Sequence, residues 1–120
     1  MAINKDTGTA HNGLGDWYWQ RLTALVLLLI LPLPFLLLCG VYSGALNQFA
    51  LLDLLDHFLS RLFHTLMILA IVGHAYLGLK VIVEDYVHLP MLRVAMIGAM
   101  LVTMSAAGIW WLALVWAWGG

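Results

Sequence analysis

The stretch that decides the fold is LFHTLMILAIVGHAYLGLKVIV, residues 62–83. Its only charged residue is Lys80, and its other ionisable side chains are two histidines and a tyrosine. A helix that crosses a bilayer needs about 20 mostly apolar residues. Because lipid offers no hydrogen bonds to the backbone, a chain that crosses it as a single segment does so as an α-helix. The stretch therefore predicts a transmembrane helix over residues 62–83.

The rest of the sequence is similarly apolar. Of 120 residues, 64% are hydrophobic and 9% are charged, whereas soluble domains carry roughly 25% charged residues. The net charge of -1 argues against a nucleic-acid partner, which would require a basic patch. We predict an all-α membrane protein with a single domain, 1–120. It comprises a leader (1–20), three transmembrane helices (22–42, 62–83 and 94–118) and an interfacial segment (49–59).

Basic residues predict the orientation of these helices, because cytoplasmic loops are enriched in lysine and arginine. Lys5, Arg21, Lys80 and Arg93 fall on one side of the predicted membrane, and Arg61 falls on the other. The N-terminus and the leader are therefore expected in the cytoplasm, and the C-terminus outside it.

The segment FALLDLLDHFL, residues 49–59, has the pattern of a helix that lies on the outer membrane surface. Asp53, Asp56 and His57 are expected on one face, and leucines on the other.

Three local features refine the predicted helices. Two prolines should bend the first helix, since each removes a backbone donor. The single cysteine is interpreted as a small buried hydrophobe. Small residues at four-residue spacing in the third helix predict a surface for close helix contact, unless they are filler. The prolines are Pro32 and Pro34, the cysteine is Cys39, and the small residues are Ala95, Ala99, Thr103 and Ala107.

His74 is the most informative residue of the second predicted helix. It lies eleven residues before Asp85, which is about 16 Å of helix rise and places it near mid-depth. Gly78, one turn away, would leave a gap for a large planar group. A neutral imidazole is a common ligand of metals and haem iron, but it could also simply hydrogen-bond a neighbouring helix. Both interpretations stay open at this point.

His64 is a weaker candidate, because it lies on another face near the outer end and is expected at the interface. It is also about 15 Å from His74 along the helix. The first and third predicted helices contain no histidine. A second histidine ligand would therefore have to come from another polypeptide.

Polar residues gather at the predicted cytoplasmic ends of the first two helices. Arg21, Asp85 and Tyr86 are expected to converge below His74. Such an arginine can pair with carboxylates, haem propionates included, and an aspartate–tyrosine pair can bind a carbonyl or transfer protons. The alternative is a solvated loop with an ordinary charged cap. Lys80 is expected to extend its ammonium group to the interface.

Two segments resemble a known family. HAYLGLKVIVEDYVHLPMLR, residues 74–93, resembles the H-A-x-x-G, D-Y and arginine pattern of the hydrophobic membrane anchor subunits of bacterial succinate dehydrogenase (complex II). NGLGDWYWQRLTALVL, residues 12–27, resembles that family's approach to its first helix. The match is to the D-type, cytochrome b556 anchor and covers nearly the whole chain.

The resemblance implies roles for individual residues. His74 matches the axial ligand of haem b, whose opposing histidine belongs to a companion C-type anchor. Arg21 matches an arginine near the haem propionates, and Asp85 and Tyr86 match the aspartate and tyrosine of the ubiquinone site. Some members carry a histidine before the aspartate that is here Asp16. This chain has Gly15 there, and His11 is a candidate substitute.

The resemblance also implies partners and location. Flavoprotein and iron–sulfur subunits would carry FAD and the iron–sulfur clusters and oxidise succinate, and this chain would supply no succinate site. The complex would serve the tricarboxylic acid cycle and aerobic respiration at the bacterial inner membrane. The membrane domain would be a helical bundle shared with the companion anchor, with the C-terminus in the periplasm. The alternatives are a haem-free structural anchor of another respiratory complex and an anchor of a quinol:fumarate reductase.

Overall fold

The structure, a computed structural model, describes the backbone of residues 9–117 and the side chains of residues 14–117. Within these ranges the chain forms five α-helices joined by short turns: α1 (Thr9–Ile30), α2 (Pro32–Tyr42), α3 (Gln48–Asp56), α4 (Phe58–Tyr86) and α5 (Pro90–Ala117). The predicted all-α class is confirmed. Lys5, Trp118 and the side chain of His11 lie outside the described residues.

The first apolar run forms two helices because of its prolines. Pro32 and Pro34 have no N–H to donate to the carbonyl groups of Leu28 and Ile30, so the helical ladder is interrupted. The interruption is confined to Leu31, which stays in helical geometry and still donates to Leu27 at 2.9 Å. The helical hydrogen-bond ladder is therefore interrupted at the place where the sequence predicted a bend. Helical structure also begins earlier than the predicted span, since α1 includes much of the leader.

The turn after α2 depends on two glycines. Gly44 has a φ of 79°, a left-handed conformation that side chains with a Cβ rarely adopt. Leu46 folds back onto Gly40, where an added Cβ would lie 2.6 Å from the leucine side chain. The side chain of Asn47 then caps α3 by accepting a hydrogen bond from the Ala50 N–H at 2.9 Å.

The interfacial segment is shorter than the predicted 49–59. His57 is extended, with φ −60° and ψ 135°, and so ends α3 and begins α4. It does not share a helical face with Asp53 and Asp56. Asp56 pairs instead with Arg61 on the first turn of α4. The position of α3 relative to a membrane surface stays a prediction.

Helix α4 is the centre of the fold. It contacts α1, α3 and α5, and with 29 residues it is roughly 43 Å long, more than the thickness of a bilayer's hydrocarbon core. Its buried side chains include Met67, Ile68 and Ala70, and α5 contributes Val115. These residues form the small apolar core between neighbouring helices.

In the described part of the chain, three segments are long and apolar enough to cross a membrane: Leu14–Tyr42, Phe58–Tyr86 and Pro90–Ala117. The prediction of three transmembrane helices is confirmed at this level. If all three cross, Leu14 and Ala117 lie on opposite faces of the membrane. Which face is cytoplasmic stays a prediction.

Most large apolar side chains point away from the other helices. Leu28, Val102 and Ile109 are each at least two-thirds exposed, and many others are similarly exposed. Cys39 is exposed as well, so its predicted burial is wrong. The other helices pack around α4 in a single layer. The faces that they turn away from α4 are therefore not covered by other described parts of the chain. Apolar surface of this extent requires lipid or another protein to cover it.

Helices α4 and α5 lie close together at Gly108, which is buried. A Cβ added there would lie 3.2 Å from Cγ2 of Val72. The four residues of the predicted small-residue stripe, by contrast, are all exposed. Small residues allow close helix contact in membranes, but here Gly108 has this role towards α4 and the stripe faces away from it.

Near the start of α4 and the end of α5, polar hydrogen bonds join the two helices. The indole N–H of Trp116 donates to Thr65 Oγ1 at 3.0 Å, and Arg61 donates to the Trp116 carbonyl at 3.4 Å. The ring of Phe58 packs edge-on against Trp116. These contacts fix the register of the two helices.

Gly108→Val should separate α4 from α5, because the added methyl groups would overlap Val72. We expect a loss of about 1–3 kcal/mol of stability, the usual cost of overpacking. Gly98→Val is the matched control, since an added Cβ at Gly98 meets no atom within 4 Å. Thermal unfolding in detergent should distinguish the two variants, and equal melting temperatures would contradict the close contact at Gly108.

Candidate functional site

His74 lies within α4, which continues without a break to Tyr86. The rise of about 16 Å between His74 and Asp85 expected from the sequence therefore applies to the structure. The imidazole is half-buried and faces α1. The histidine thus lies between two helices and away from both ends of its own.

Two oxygen atoms of α1 surround Nδ1 of His74. Thr23 Oγ1 lies 3.1 Å from it, and the carbonyl oxygen of Gln20 lies 3.3 Å from it. A carbonyl oxygen can only accept, so Nδ1 carries the proton. The Thr23 hydroxyl donates its own proton to the Trp19 carbonyl at 2.8 Å, which leaves its oxygen able to accept. The imidazole is therefore assigned as the Nδ1–H tautomer.

The other ring nitrogen, Nε2, keeps its lone pair in this tautomer. No residue that the structure describes forms a hydrogen bond with it. Histidines that bind metals commonly donate one ring N–H to a carbonyl or a similar acceptor and coordinate through the other nitrogen. The environment of His74 fits such a ligand.

The gap predicted beside Gly78 is turned towards α1. A Cβ at Gly78 would lie 3.6 Å from Nε2 of the Gln20 amide. Because Gly78 has no side chain, it leaves room for the Gln20 side chain of α1. It also leaves a shallow depression in the surface of α4. The sequence did not predict this use of the glycine.

Open apolar grooves run along both sides of the α1–α4 contact. One of about 720 Å³ includes Leu27, Leu31, Met67 and Ile71 in its lining. Met67 and Ile71 precede His74 by seven and three residues and so lie close to its face of α4. The other groove, of about 440 Å³, includes Thr23, Gly73 and Tyr76. Apolar surface thus extends from His74 along the contact between α1 and α4.

Arg21 is exposed, and its guanidinium carbon lies 5.6 Å from the ring centre of Trp17. Over residues 14–117, no hydrogen bond or ion pair joins it to Asp85 or Tyr86. The predicted convergence of these three side chains stays a prediction. Arg21 does follow Gln20 directly, so its backbone is one residue from the contact with His74.

Asp85 and Tyr86 end α4 and are both exposed, Tyr86 by 77%. Val87 leaves the helix with φ −98° and ψ 106°, and the following residues lead to Pro90, the first residue of α5. Nε of Arg93 donates to the Val87 carbonyl at 3.0 Å. This bond satisfies a carbonyl at the helix end and holds the turn that presents Asp85 and Tyr86.

The strongest polar contact at this end was not predicted. Lys80 Nζ lies 2.6 Å from Asp16 on α1 and 3.9 Å from Glu84 on its own helix. The expectation that Lys80 only extends to the interface is therefore incomplete. Its four-residue spacing from Glu84 is visible in the sequence. Its pairing with Asp16 depends on how α1 and α4 pack.

The remaining histidines lie apart from His74. His64 is buried, with 7% exposed, and donates from Nδ1 to the Ser60 carbonyl at 2.7 Å; its expected position at the membrane interface stays a prediction. His88 is exposed in the turn before α5. Over the described range, no three His, Cys, Asp or Glu side chains form a group that could hold a metal ion.

Comparison with known proteins tests the predicted family. No family model matches the chain. The succinate dehydrogenase hydrophobic membrane anchor subunit of Coxiella burnetii is 25% identical over 118 residues, which cover 90% of this chain and 92% of that protein. This similarity supports the predicted family of succinate dehydrogenase membrane anchor subunits. The similarity to this membrane anchor and the three apolar helices together describe a multi-pass membrane protein.

Lys80→Met should weaken the contact between α1 and α4, because Asp16 would lose its charged partner. The side chains are 21% and 26% exposed, so we expect a loss of about 1 kcal/mol. Asp16→Asn should cost a similar amount, and the double variant should cost less than the sum of the two. A double-mutant cycle from thermal unfolding in detergent measures this, and additive losses would show that the ion pair contributes nothing.

Proposed function

We propose that this chain is a membrane anchor subunit of a succinate:ubiquinone oxidoreductase. It would anchor the flavoprotein and iron–sulfur subunits, share a haem b with a companion anchor and help to form the ubiquinone-reduction site. The similarity to a succinate dehydrogenase anchor over nearly the whole chain carries the first part of the proposal. The tautomer of His74 supports the second, and the exposed Asp85–Tyr86 pair supports the third.

His74 would bind the haem iron through Nε2 while Nδ1–H stays bonded to α1. A bound haem b would accept and release single electrons near the quinone site. The opposing axial ligand would come from the companion C-type anchor, since the apolar helices of this chain offer no second histidine within reach of His74. Arg21, which stacks on Trp17, has a guanidinium that could pair with a propionate.

Asp85 and Tyr86 would serve the quinone. Reduction of ubiquinone to ubiquinol takes up two electrons and two protons. The phenol of Tyr86 can donate a hydrogen bond to a quinone oxygen, and Asp85 beside it can accept and deliver a proton. Their exposure at the end of α4 leaves both side chains free to meet a ligand and the surface of a partner subunit.

The proposed cellular setting follows from the family and the charge distribution. The leader and the Asp85–Tyr86 end would face the cytoplasm, where the flavoprotein and iron–sulfur subunits oxidise succinate with FAD and iron–sulfur clusters. The chain would lie in the bacterial inner membrane and act in the tricarboxylic acid cycle and aerobic respiratory chain. It is a subunit of an enzyme in this proposal, with no succinate-oxidising site of its own.

A second candidate is a haem-free structural anchor of a respiratory complex. The observation that favours it is the hydrogen bonding between His74 and α1, because an interhelical bond alone could account for a polar residue at mid-depth. An anchor of a quinol:fumarate reductase is a further alternative, since the direction of reaction depends on the potentials of other subunits. The two predictions below separate the haem-free anchor from the main proposal.

His74→Leu should remove haem b from the purified complex, because leucine has no atom that can bind the iron. The pyridine haemochrome spectrum measures haem per complex. His88→Leu, in an exposed turn, is the matched control and should keep its haem. An unchanged spectrum in the His74 variant would contradict the ligand assignment and favour the structural anchor.

Tyr86→Phe and Asp85→Asn should each lower ubiquinone reduction by about tenfold, the effect of about 1.4 kcal/mol in transition-state binding. Succinate oxidation with an artificial acceptor should not change, because it bypasses the quinone site. Tyr42→Phe, at the far end of the first span, is the control. Equal losses in both assays would indicate faulty assembly and contradict the quinone role.

A further inference from the structure

Thr23 is the one described side chain that hydrogen-bonds the His74 imidazole. We infer that Thr23 is a positioning residue: with the Gln20 carbonyl, it fixes the tautomer and ring orientation of His74 for iron ligation. This inference rests on the proposed function and adds a residue of α1 to the haem site.

The first step of the argument is the direction of the hydrogen bonds. Thr23 Oγ1 lies 2.8 Å from the Trp19 carbonyl and 3.1 Å from the Gln20 carbonyl. Its proton is used within α1, in the manner usual for a threonine inside a helix. The hydroxyl oxygen therefore faces His74 as an acceptor. With the Gln20 carbonyl, it offers two acceptors to one N–H.

The second step is rigidity. Both acceptors belong to α1, one through its backbone and one through a threonine whose rotamer is fixed by its bond to the preceding turn. They hold Nδ1 on the side of α1 and limit rotation of the ring. Nε2, on the opposite side of the imidazole, is thereby fixed in direction relative to both helices. A ligand to a large planar group needs this constraint, because its partner ligand lies on another chain.

The third step is electronic. An acceptor opposite Nδ1–H increases the basicity of the coordinating nitrogen. A more basic ligand stabilises ferric over ferrous iron and lowers the reduction potential. Removing the Thr23 hydroxyl should therefore raise the potential of the haem. Since the Gln20 carbonyl remains, ligation should be weakened and not abolished.

A purely structural hydrogen bond between α1 and α4 would have a different consequence. It would contribute to the stability of the helix pair, but neither the haem spectrum nor its potential would respond to its loss. The two roles are separable by experiments on the intact complex.

The test uses the complete complex with Thr23→Val, which keeps the shape and removes the hydroxyl, and Thr23→Ser, which restores it. Thr103→Val, on the exposed face of α5, is the matched control. We expect Thr23→Val to lower haem affinity by about tenfold, to shift the midpoint potential to more positive values and to change the low-spin electron paramagnetic resonance signal. Thr23→Ser should restore all three properties. If the complex with Thr23→Val does not accumulate, Thr23→Ala tests the same loss of the hydroxyl without a branched side chain.

Three outcomes decide the matter. The expected shifts with rescue by serine establish the positioning role. Wild-type haem affinity, potential and resonance signal in both the valine and alanine variants overturn it, provided that His74→Leu loses haem. If His74→Leu keeps its haem, the proposed ligand itself is wrong and this inference fails with it. The two failures are therefore distinguishable.

Discussion

The fold depends on the packing of α1 against α4, and in the membrane interior that packing is marked by one polar contact. His74 donates from Nδ1 to oxygen atoms of Thr23 and Gln20, in a region where the surrounding side chains are apolar. An unsatisfied imidazole N–H in lipid would be costly. The two helices therefore have a preferred rotation relative to each other, in which these atoms meet. The Lys80–Asp16 pair adds a second point of attachment towards one end.

Apolar run lengths and residue-type patterns predicted much of this structure. The three spans and the disruption at Pro32 and Pro34 follow from local physical constraints on backbone hydrogen bonding. Residue spacing also predicted the separation of His74 from Asp85, because an unbroken helix converts sequence distance into length. These are properties of single helices, and no knowledge of their neighbours is needed to derive them.

The features that were missed depend on how helices rotate against each other. Gly108, and not the alanine stripe, meets Val72, and His64 is buried while Cys39 is exposed. No pattern within one segment fixes these outcomes, since an apolar helix offers several equivalent faces. The partner of Lys80 lies 64 residues away, which is beyond the reach of spacing rules. Arg21, Asp85 and Tyr86 form no bond with one another among the described residues, and spacing within one helix could not decide this, because it depends on how α1 and α4 rotate against each other.

The interruption at Leu31 lies between two halves of the first span that are attached differently. The half formed by α1 is attached to α4 through Thr23, Gln20 and Asp16. The half formed by α2 continues from it through Leu31, which stays in helical geometry, and ends at the turn that contains Gly44. Changes in bilayer thickness alter the preferred tilt of a spanning helix. Among the described residues α2 contacts α1 and α3 but not α4, so a change of tilt taken up at the two prolines would leave the α1–α4 contact, and with it the imidazole, in place.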